Sequence, residues 1–470
     1  MIGSGMAARL VNVDRDTLLL MPPNMREWVP EGHLVHFILD AVGELDLSKA
    51  KINQRGSGSE QYPPSMMLGL LIYSYATGVF GSRVIERSSY ENVAVRVLCG
   101  DTHPDHDTLC AFRRDNAGLL AHCFGQVLEM AAGCGFLKVG GITVAIDGTK
   151  VLANASKHAA ASYGRAGEKM RQMDLEIAEL LRKAEAADAT PLEDGLSIPE
   201  EIRRRQERKA RLAKARAEME ARAYARAQAE MAEYQAKVAA RQQVRSEGRK
   251  PRGREPVAPR EQPGNKEQYN FSDPQSRIMK MGDGGFGQAY NAQAAVEVAS
   301  RLIVGQRVSD APNDKEQLVP SFQAIDSAAG SVAEVLVDTG FLSEAAVAVI
   351  EADEPTGTRV LAAVKRDHHG RSVRDLEKKS DPPAPPADAP FLERMAHRVG
   401  TASGRERYKL RQQTVEPVIG IIKEAMGFRR FSLRGKEKVN TEWTLVCLSY
   451  NFRRLFRLNK TSPMADATLN

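Results

Sequence analysis

Two short apolar runs in this chain each stop at an aspartate, and this arrangement restricts the fold more than any other feature. Ile142 to Ile146 is followed by Asp147, and Val332 to Val337 is followed by Asp338. Apolar runs of about four to eight residues are typical of buried strands. Burying an aspartate is costly unless it caps a turn, pairs with a base or binds a metal. We therefore predict an α/β core with carboxylates at its strand ends, although an ordinary turn competes for Asp147-Gly148.

A third carboxylate lies in the stretch YKLRQQTVEPVIGIIK, which runs from Tyr408 to Lys423. Glu416 and Lys423 are seven residues apart, so on one continuous helix they would share a face. Because proline is tolerated in the first turn of a helix, Pro417 predicts a helix that begins close to Glu416. The dipole of such a helix favours the ionised carboxylate, which is the form that binds a divalent metal. An exposed Glu and Lys on an ordinary amphipathic helix is the alternative.

Composition limits the class of protein. A chain of 470 residues predicts roughly two or three domains, and 42% hydrophobic residues supply a core. The net charge of +6 and the pI of 8.9 are mild, so the location of the basic clusters matters more than their sum. Five cysteines without a CxxC pair argue against a disulfide framework or a zinc knuckle. The longest apolar run, 66–80, is too short to cross a bilayer, and we expect a cytoplasmic protein without membrane contact.

Composition also divides the chain into parts. The middle of the chain is rich in Ala, Arg, Glu, Lys and Gln, which predicts two long polar helices, Glu168–Ala187 and Glu200–Glu247. A basic Pro/Gly-rich linker follows them. The predicted parts are a helical N-terminal DNA-binding domain (1–135), a core (136–154 and 271–440), the polar helical insertion with its linker (155–270), and a C-terminal amphipathic helix and tail (441–470).

Arginines in two places are candidate DNA-phosphate contacts. Arg113 and Arg114 lie on a helix after the run DTHPDHDTLC, where a solvated helix face is an equal alternative. The acidic and histidine residues of that run are better explained by a capped turn than by a metal site.

The second group of arginines lies in FRRFSLRGKEK, residues 428–438. Arg429, Arg430 and Arg434 alternate with Phe428 and Phe431, a pattern that suits phosphate contacts beside stacked bases. A solvated loop is the alternative.

The three carboxylates together indicate a chemistry. Acids that converge from two strand ends and a helix are what a two-metal phosphoryl-transfer site requires, because Mg²⁺ prefers oxygen ligands. Two such ions stabilise the attacking and the leaving oxygen of a displacement at a phosphodiester. This chemistry needs no His–Ser or Cys–His pair.

These segments resemble the DDE transposases of bacterial insertion sequences. The resemblance rests on YPPSMMLGLLIYSYATGVFGSRVIE, DHDTLCAFRR, AIDGTK, the segment DPQSRIMK…GQAYNAQAAV, LVDTGF and TVEPVIGIIK. It implies an RNase H-like mixed-sheet catalytic core with an all-α N-terminal domain and a long helical insertion. It also implies that Asp147, Asp338 and Glu416 bind two Mg²⁺ or Mn²⁺ ions and catalyse DNA cleavage and strand transfer.

The family's tyrosine–arginine–glutamate–lysine signature corresponds to Tyr408, Arg411, Glu416 and Lys423, with one more residue between Arg and Glu than in the commonest form. By this resemblance Arg411 and Lys423 hold DNA phosphates beside the metals. The implied partner is double-stranded DNA, both element ends and target, acted on at the nucleoid. A homodimer or larger synaptic complex is expected, because two ends must meet, and the long helices are a candidate dimerisation element.

Two other functions compete with this interpretation. AIDGTK is superficially similar to haloacid dehalogenase-type phosphatases, but Ala145 occupies the position of their nucleophile. A non-catalytic DNA-binding or scaffolding protein derived from a transposase is the alternative from another class, and the three intact carboxylates count against it.

Overall fold

The computed structural model describes residues 24–52, 60–187, 198–251, 253–352, 357–364, 380–386 and 388–461. The ends of the predicted terminal parts, 1–23 and 462–470, therefore lie outside the described residues. In the part of the chain that the structure describes, no helix is long and apolar enough to cross a membrane.

A six-stranded mixed sheet forms the centre of the structure. Its central strand β1 (Ile142–Leu152) pairs antiparallel with β5 (Phe286–Glu297) and parallel with β7 (Val332–Val337). Strand β6 (Ile303–Ser309) continues the sheet beyond β5, and β8 (Arg359–Ala362) continues it beyond β7. The order β6-β5-β1-β7-β8 is the mixed sheet expected of an RNase H-like core.

Three short strands complete the β-structure. They are β2 (Ala160–Ser162), β3 (Gln268–Asn270) and β4 (Arg277–Lys280). Strand β4 pairs with the beginning of β5, and β2 pairs with β3 in a separate two-stranded sheet. The predicted hairpin from Gln288–Val298 and Leu302–Val308 is confirmed by β5 and β6.

Strand β1 is longer than its apolar run. The prediction that it ends at Asp147 is wrong, and so is the competing turn at Asp147-Gly148. The ladder with β5 continues through Asp147, opposite Ala294, as far as Leu152. On the other edge, pairing with β7 stops at Ala145. Asp147 therefore lies within a strand, at the point where one neighbouring strand has ended.

Helices precede, interrupt and follow the sheet. Those of the N-terminal part are α1 (Leu34–Gly43), α2 (Pro64–Ala76), α3 (Ser82–Glu91), α4 (Val93–Cys99), α5 (His106–Asp115) and α6 (Ala117–Gly133). Those of the insertion and core are α7 (Tyr163–Ala187), α8 (Ile198–Ser246), α9 (Leu318–Gln323), α10 (Glu344–Glu351), α11 (Phe391–Gly400) and α12 (Ala402–Gly420). The last described helix is α13 (Lys436–Thr461).

Local sequence explains several helix ends. Pro64 occupies the first turn of α2, where its missing N–H removes no helical hydrogen bond. The Asp105 side chain accepts a hydrogen bond from the Thr108 amide and caps α5, so the acidic run before it is a capped turn, as favoured from the sequence. Gly100 ends α4 with a left-handed backbone.

One hydrophobic core joins the N-terminal helices to the sheet. It extends from Val29 to Leu455 and includes buried side chains of α2, α6, β1, β7 and α13. Helix α13 packs against α2, α6 and β6. The N-terminal helices and the sheet therefore share one core, and the final helix holds them together.

Helices α7 and α8 form the two long polar helices predicted for the insertion. They pack against each other through small apolar contacts, among them Met173 and Leu212. Ion pairs add to this packing, including Arg205–Glu176 at 2.8 Å and a close Lys209–Asp174 pair. Most of the remaining surface of both helices is polar, as their content of Arg, Glu, Lys and Gln predicts.

Arg113 lies inside the core, which contradicts its predicted role as a DNA contact. Only 3% of its side chain is exposed, and its guanidinium donates to the Tyr75 hydroxyl at 2.5 Å and to the Phe80 carbonyl at 3.1 Å. It faces the buried carboxylate of Glu442 at 3.8 Å. Sequence could not show this, because the partners come from two segments that are distant from each other along the chain. Arg114 is exposed and pairs with its neighbour Asp115.

We predict that Arg113→Met destabilises the fold by about 3–5 kcal/mol, because it leaves the Glu442 carboxylate buried without its charge partner. Arg114→Met is the matched control and should change the free energy of unfolding by less than about 0.5 kcal/mol. Urea denaturation followed by circular dichroism measures both. Equal effects of the two substitutions would contradict a structural role for Arg113.

Candidate active site

Asp147 occupies the middle of β1. Its Oδ1 accepts a hydrogen bond from the Gly148 amide at 2.8 Å, and its Oδ2 accepts one from the Arg411 guanidinium at 2.9 Å. Its side chain is 18% exposed. Because β7 has stopped pairing at this level, the carboxylate lies at an open edge between two strands.

Asp338 directly follows β7, as predicted. Its Oδ1 accepts the amide of Gly340 at 2.8 Å, and the residue caps the short 3₁₀ helix Thr339–Phe341. The parallel pairing of Ala145 with Leu336 brings the end of β7 level with Asp147. The two aspartates that the sequence separates widely therefore come from adjacent parallel strands.

Glu416 lies on α12, but the prediction that a helix begins close to it is wrong. The helix begins at Ala402, where the Thr401 side chain caps it by accepting the Gly404 amide at 3.1 Å. Pro417 lies inside the helix, which passes into a π-helical turn at Ile421–Ala425. The buried residues Val415 and Val418 tie this segment to the core. Because Glu416 lies in the last turns, the helix dipole does not favour its charge.

Arg411 connects two of the three carboxylates. Its two terminal nitrogens contact Asp147 at 2.9 Å and Glu416 at 3.1 Å, and only 8% of its side chain is exposed. The Glu416 side chain is 52% exposed, so the bridge runs from the buried edge of β1 to the surface of α12. The resemblance implies a phosphate-binding Arg411, whereas the structure shows its guanidinium bound to two carboxylates.

The electrostatics of Asp147 reflect its burial. Desolvation raises the pKa of Asp147 to about 6, and the negative charges of Asp338 and Asp314 also raise it. The Arg411 guanidinium and the Gly148 amide act in the opposite direction. The influence of Asp338 shows that the two aspartates lie within electrostatic range of each other.

A polar cluster that the sequence did not predict lies on the β5 side of β1. The Asp314 carboxylate accepts hydrogen bonds from Asn291 at 2.6 Å and Gln293 at 2.8 Å, and it lies 3.7 Å from the Lys150 ammonium. Gly148 leaves room for it, because a Cβ there would lie 2.6 Å from the Asp314 carboxylate. Lys150 belongs to the quoted run AIDGTK, but no local pattern distinguishes Asp314.

Lys150 and Lys423 are the lysines of the site. Burial lowers the pKa of Lys150, although the charges of Asp314, Asp147 and Asp338 partly oppose this. Burial also lowers the pKa of Lys423, with further lowering from Arg429 and Lys150. The Lys150 ammonium is buried and has no hydrogen-bond partner among the described residues. Tyr408 lies on α12, partly buried against the core.

The predicted stacking role of Phe428 and Phe431 is wrong. Both rings are buried, and they pack against each other with centroids 5.3 Å apart. The arginines between and after them are exposed. Arg429 pairs with Glu424 at 2.5 Å, and Arg434 donates to the Asn154 carbonyl at 2.9 Å, while Arg430 belongs to an isolated bridge with Leu152.

The geometry does not form a ready metal cage. Among the described residues, no group of three or more His, Cys, Asp or Glu side chains is arranged to hold a metal ion. The structure instead places Asp147 and Glu416 on one guanidinium, with Asp338 close to Asp147.

The fold agrees with the RNase H-like class predicted from the sequence. Two parts of the chain match known families. Residues 388–456, which include Glu416 and Lys423, match the family described as Transposase DDE domain. Residues 23–115 match the family described as Transposase domain (DUF772). These two matches support an insertion-sequence DDE transposase, the family that the sequence resembles.

No curated protein and no solved structure matches the chain significantly. The matched family ranges contain Glu416 but neither Asp147 nor Asp338.

The raised pKa of Asp147 predicts a pH-dependent stability in metal-free buffer. Because the folded pKa of about 6 exceeds the usual value of about 3.9, this carboxyl stabilises the fold below pH of about 4, and that contribution is lost as the pH rises through about 6. Asp147→Asn cannot ionise. Its stability relative to the parent chain should therefore increase between pH of about 4 and 7, by on the order of 2–3 kcal/mol.

Urea unfolding with EDTA at several pH values measures this difference. Glu406→Gln, which removes an exposed acid of α12, is the control for general charge effects. A difference between Asp147→Asn and the parent chain that stays constant with pH would show that burial does not disfavour the Asp147 charge.

Proposed function

We propose that this transposase cleaves phosphodiester bonds at the ends of its insertion sequence and joins the freed 3′-hydroxyl to target DNA. Asp147, Asp338 and Glu416 are the proposed catalytic and metal-binding residues. The observation that supports this most is the convergence of these acids: Arg411 contacts Asp147 and Glu416, and the charge of Asp338 raises the pKa of Asp147.

The donor set fits a hard divalent cation. All three groups are carboxylates, and Asp147 and Asp338 lie close enough to repel each other. Glu416 is half exposed, so one of its oxygens remains accessible beside the arginine. Mg²⁺ or Mn²⁺, as two ions, would supply activation of the attacking hydroxyl and stabilisation of the leaving oxygen.

The cations of the chain have separate tasks in this proposal. Arg411 is a positioning residue, since it fixes the orientation of Asp147 and Glu416 from a buried site. Lys423, and the Lys150 ammonium that lacks a hydrogen-bond partner in the described part of the chain, hold the phosphate of the DNA strand being cut. Tyr408, one helical turn before Arg411, supports the placement of this segment.

The DNA duplex extends beyond the site. Arg429, Arg430, Arg434 and Arg114 are exposed, and they are proposed to contact backbone phosphates of element ends and target. Since two ends must be joined, we propose a homodimer or larger synaptic complex, with α7 and α8 as its candidate contact. The enzyme would act on the bacterial nucleoid in the cytoplasm.

The triad is tested by substitutions that remove charge and keep shape. Asp147→Asn, Asp338→Asn and Glu416→Gln should each lower cleavage and strand transfer by roughly a hundredfold or more, because each removes a charge placed at the reacting phosphate. A plasmid carrying the reading frame with its native flanking DNA is the substrate, assayed with Mg²⁺, with Mn²⁺ and with EDTA.

Glu406→Gln is the matched control on α12 and should retain activity. DNA binding measured in EDTA should survive in all three triad variants, which separates a loss of chemistry from a loss of affinity. Equal cleavage by the parent chain and the three variants would favour the non-catalytic scaffold instead.

A further inference from the structure

The insertion approaches the candidate site at one point. Glu233 of α8 lies 3.6 Å from Lys315, the residue next to Asp314. Asp314 in turn contacts Lys150 and influences Asp147. Helix α8 therefore passes close to the candidate site at Glu233.

Beyond Glu233 the helix continues for about 20 Å to Ser246. The linker then folds back along it: Glu255 pairs with Arg241 at 3.3 Å and with Arg245 at 2.5 Å. We call residues 234–262 the finger; apart from Arg252, all of them are described. Its two segments contact each other, and it begins at the rim of the site.

The finger is strongly basic. Residues 234–262 contain eight Lys or Arg and three Glu, a net charge of +5. A groove of about 480 Å³ between helix and linker is lined by Arg241, Arg245, Arg249 and Lys250, with Glu255. Three acids cannot neutralise eight bases, so the finger has a positive field.

Two further features favour a nucleic acid over a protein as the partner. Lys250 and Arg254 are exposed and form no ion pair with a described residue. Val257 is the one large apolar side chain that the described part of the finger exposes, whereas protein interfaces have apolar or aromatic centres. Cations on a thin projection are typical of contacts to a phosphate backbone.

We infer that the finger is a duplex-DNA clamp that holds the backbone of the DNA on one side of the catalytic site, through phosphates and without sequence preference. The helical part of the finger, about 20 Å long, exceeds the roughly 12 Å width of the major groove, so Lys250 and Arg254 at its far end can reach the backbone of a duplex that is bound at Asp147 and Glu416. This inference rests on the proposed function, since the finger is placed relative to that site.

Salt-dependent binding tests the clamp. Lys250→Ala/Arg254→Ala should reduce the slope of log affinity against log salt by about 1.8, since each phosphate contact contributes about 0.9. At moderate salt the affinity should fall at least about tenfold, equally for element-end and random duplexes. Fluorescence anisotropy with the full chain in EDTA measures both.

The matched control is Arg203→Ala/Lys214→Ala, one arginine and one lysine that are exposed on the same helix but far from Glu233. It should bind with the slope of the parent chain, and circular dichroism should show both double variants folded. Equal slopes for all three proteins would overturn the clamp. A lower mass in light scattering with an unchanged slope would also overturn it and assign the finger to a second copy of the chain.

The test is independent of catalysis, because EDTA prevents cleavage. If Asp147→Asn, Asp338→Asn and Glu416→Gln leave cleavage intact, the proposed chemistry fails while the slope still decides the clamp. If the slope is unchanged while those variants lose cleavage, the clamp fails and the chemistry stands.

Discussion

The buried guanidinium of Arg411 holds the candidate site together. It lies between a carboxylate from the central strand and one from a helix that follows far along the chain, at 2.9 and 3.1 Å. Without this positive charge, two carboxylates would face each other at a poorly solvated edge, where repulsion and desolvation both oppose ionisation. The same contact joins α12 to β1, and the buried Val415 and Val418 add to the packing of this helix against the core.

The sheet supplies the edge at which this network forms. Strand β1 continues along β5 after its pairing with β7 has ended, and the chain leaves β7 at Asp338. An opening between two parallel strands at their carboxyl ends is where α/β proteins commonly place ligands, because loops and side chains converge there. On the β5 side of β1, Lys150 lies 3.7 Å from Asp314, so the surroundings of Asp147 carry charges of both signs.

Segments that are distant in sequence pack together in this fold, because the N-terminal helices, the sheet and the last helix share one core. Glu442 of α13 is an example. Its carboxylate accepts hydrogen bonds from the amides of Ser432 and Leu433, and it also faces the buried charge of Arg113 on α5. The helical insertion, in contrast, is stabilised by ion pairs and small contacts between its own helices. The insertion approaches the candidate site where Glu233 of α8 pairs with Lys315.

The sequence by itself determined the elements that local pattern controls. The apolar run of β7 with Asp338 behind it, the hairpin of β5 and β6, and the two polar helices of the insertion all follow from periodicity and composition. The apolar run before Asp147 and the stretch from Tyr408 to Lys423 directed attention to Asp147 and Glu416, and the family resemblance, which the comparisons support, implied a common role for them. Tertiary structure decided the rest, because partners distant in sequence overrode local rules. Packing and the Thr401 cap placed Pro417 inside a helix, and burial removed Arg113 and the two phenylalanines from the surface. Asp314 came to lie beside β1 because the segment between β6 and α9 contacts Asn291 and Gln293 of β5.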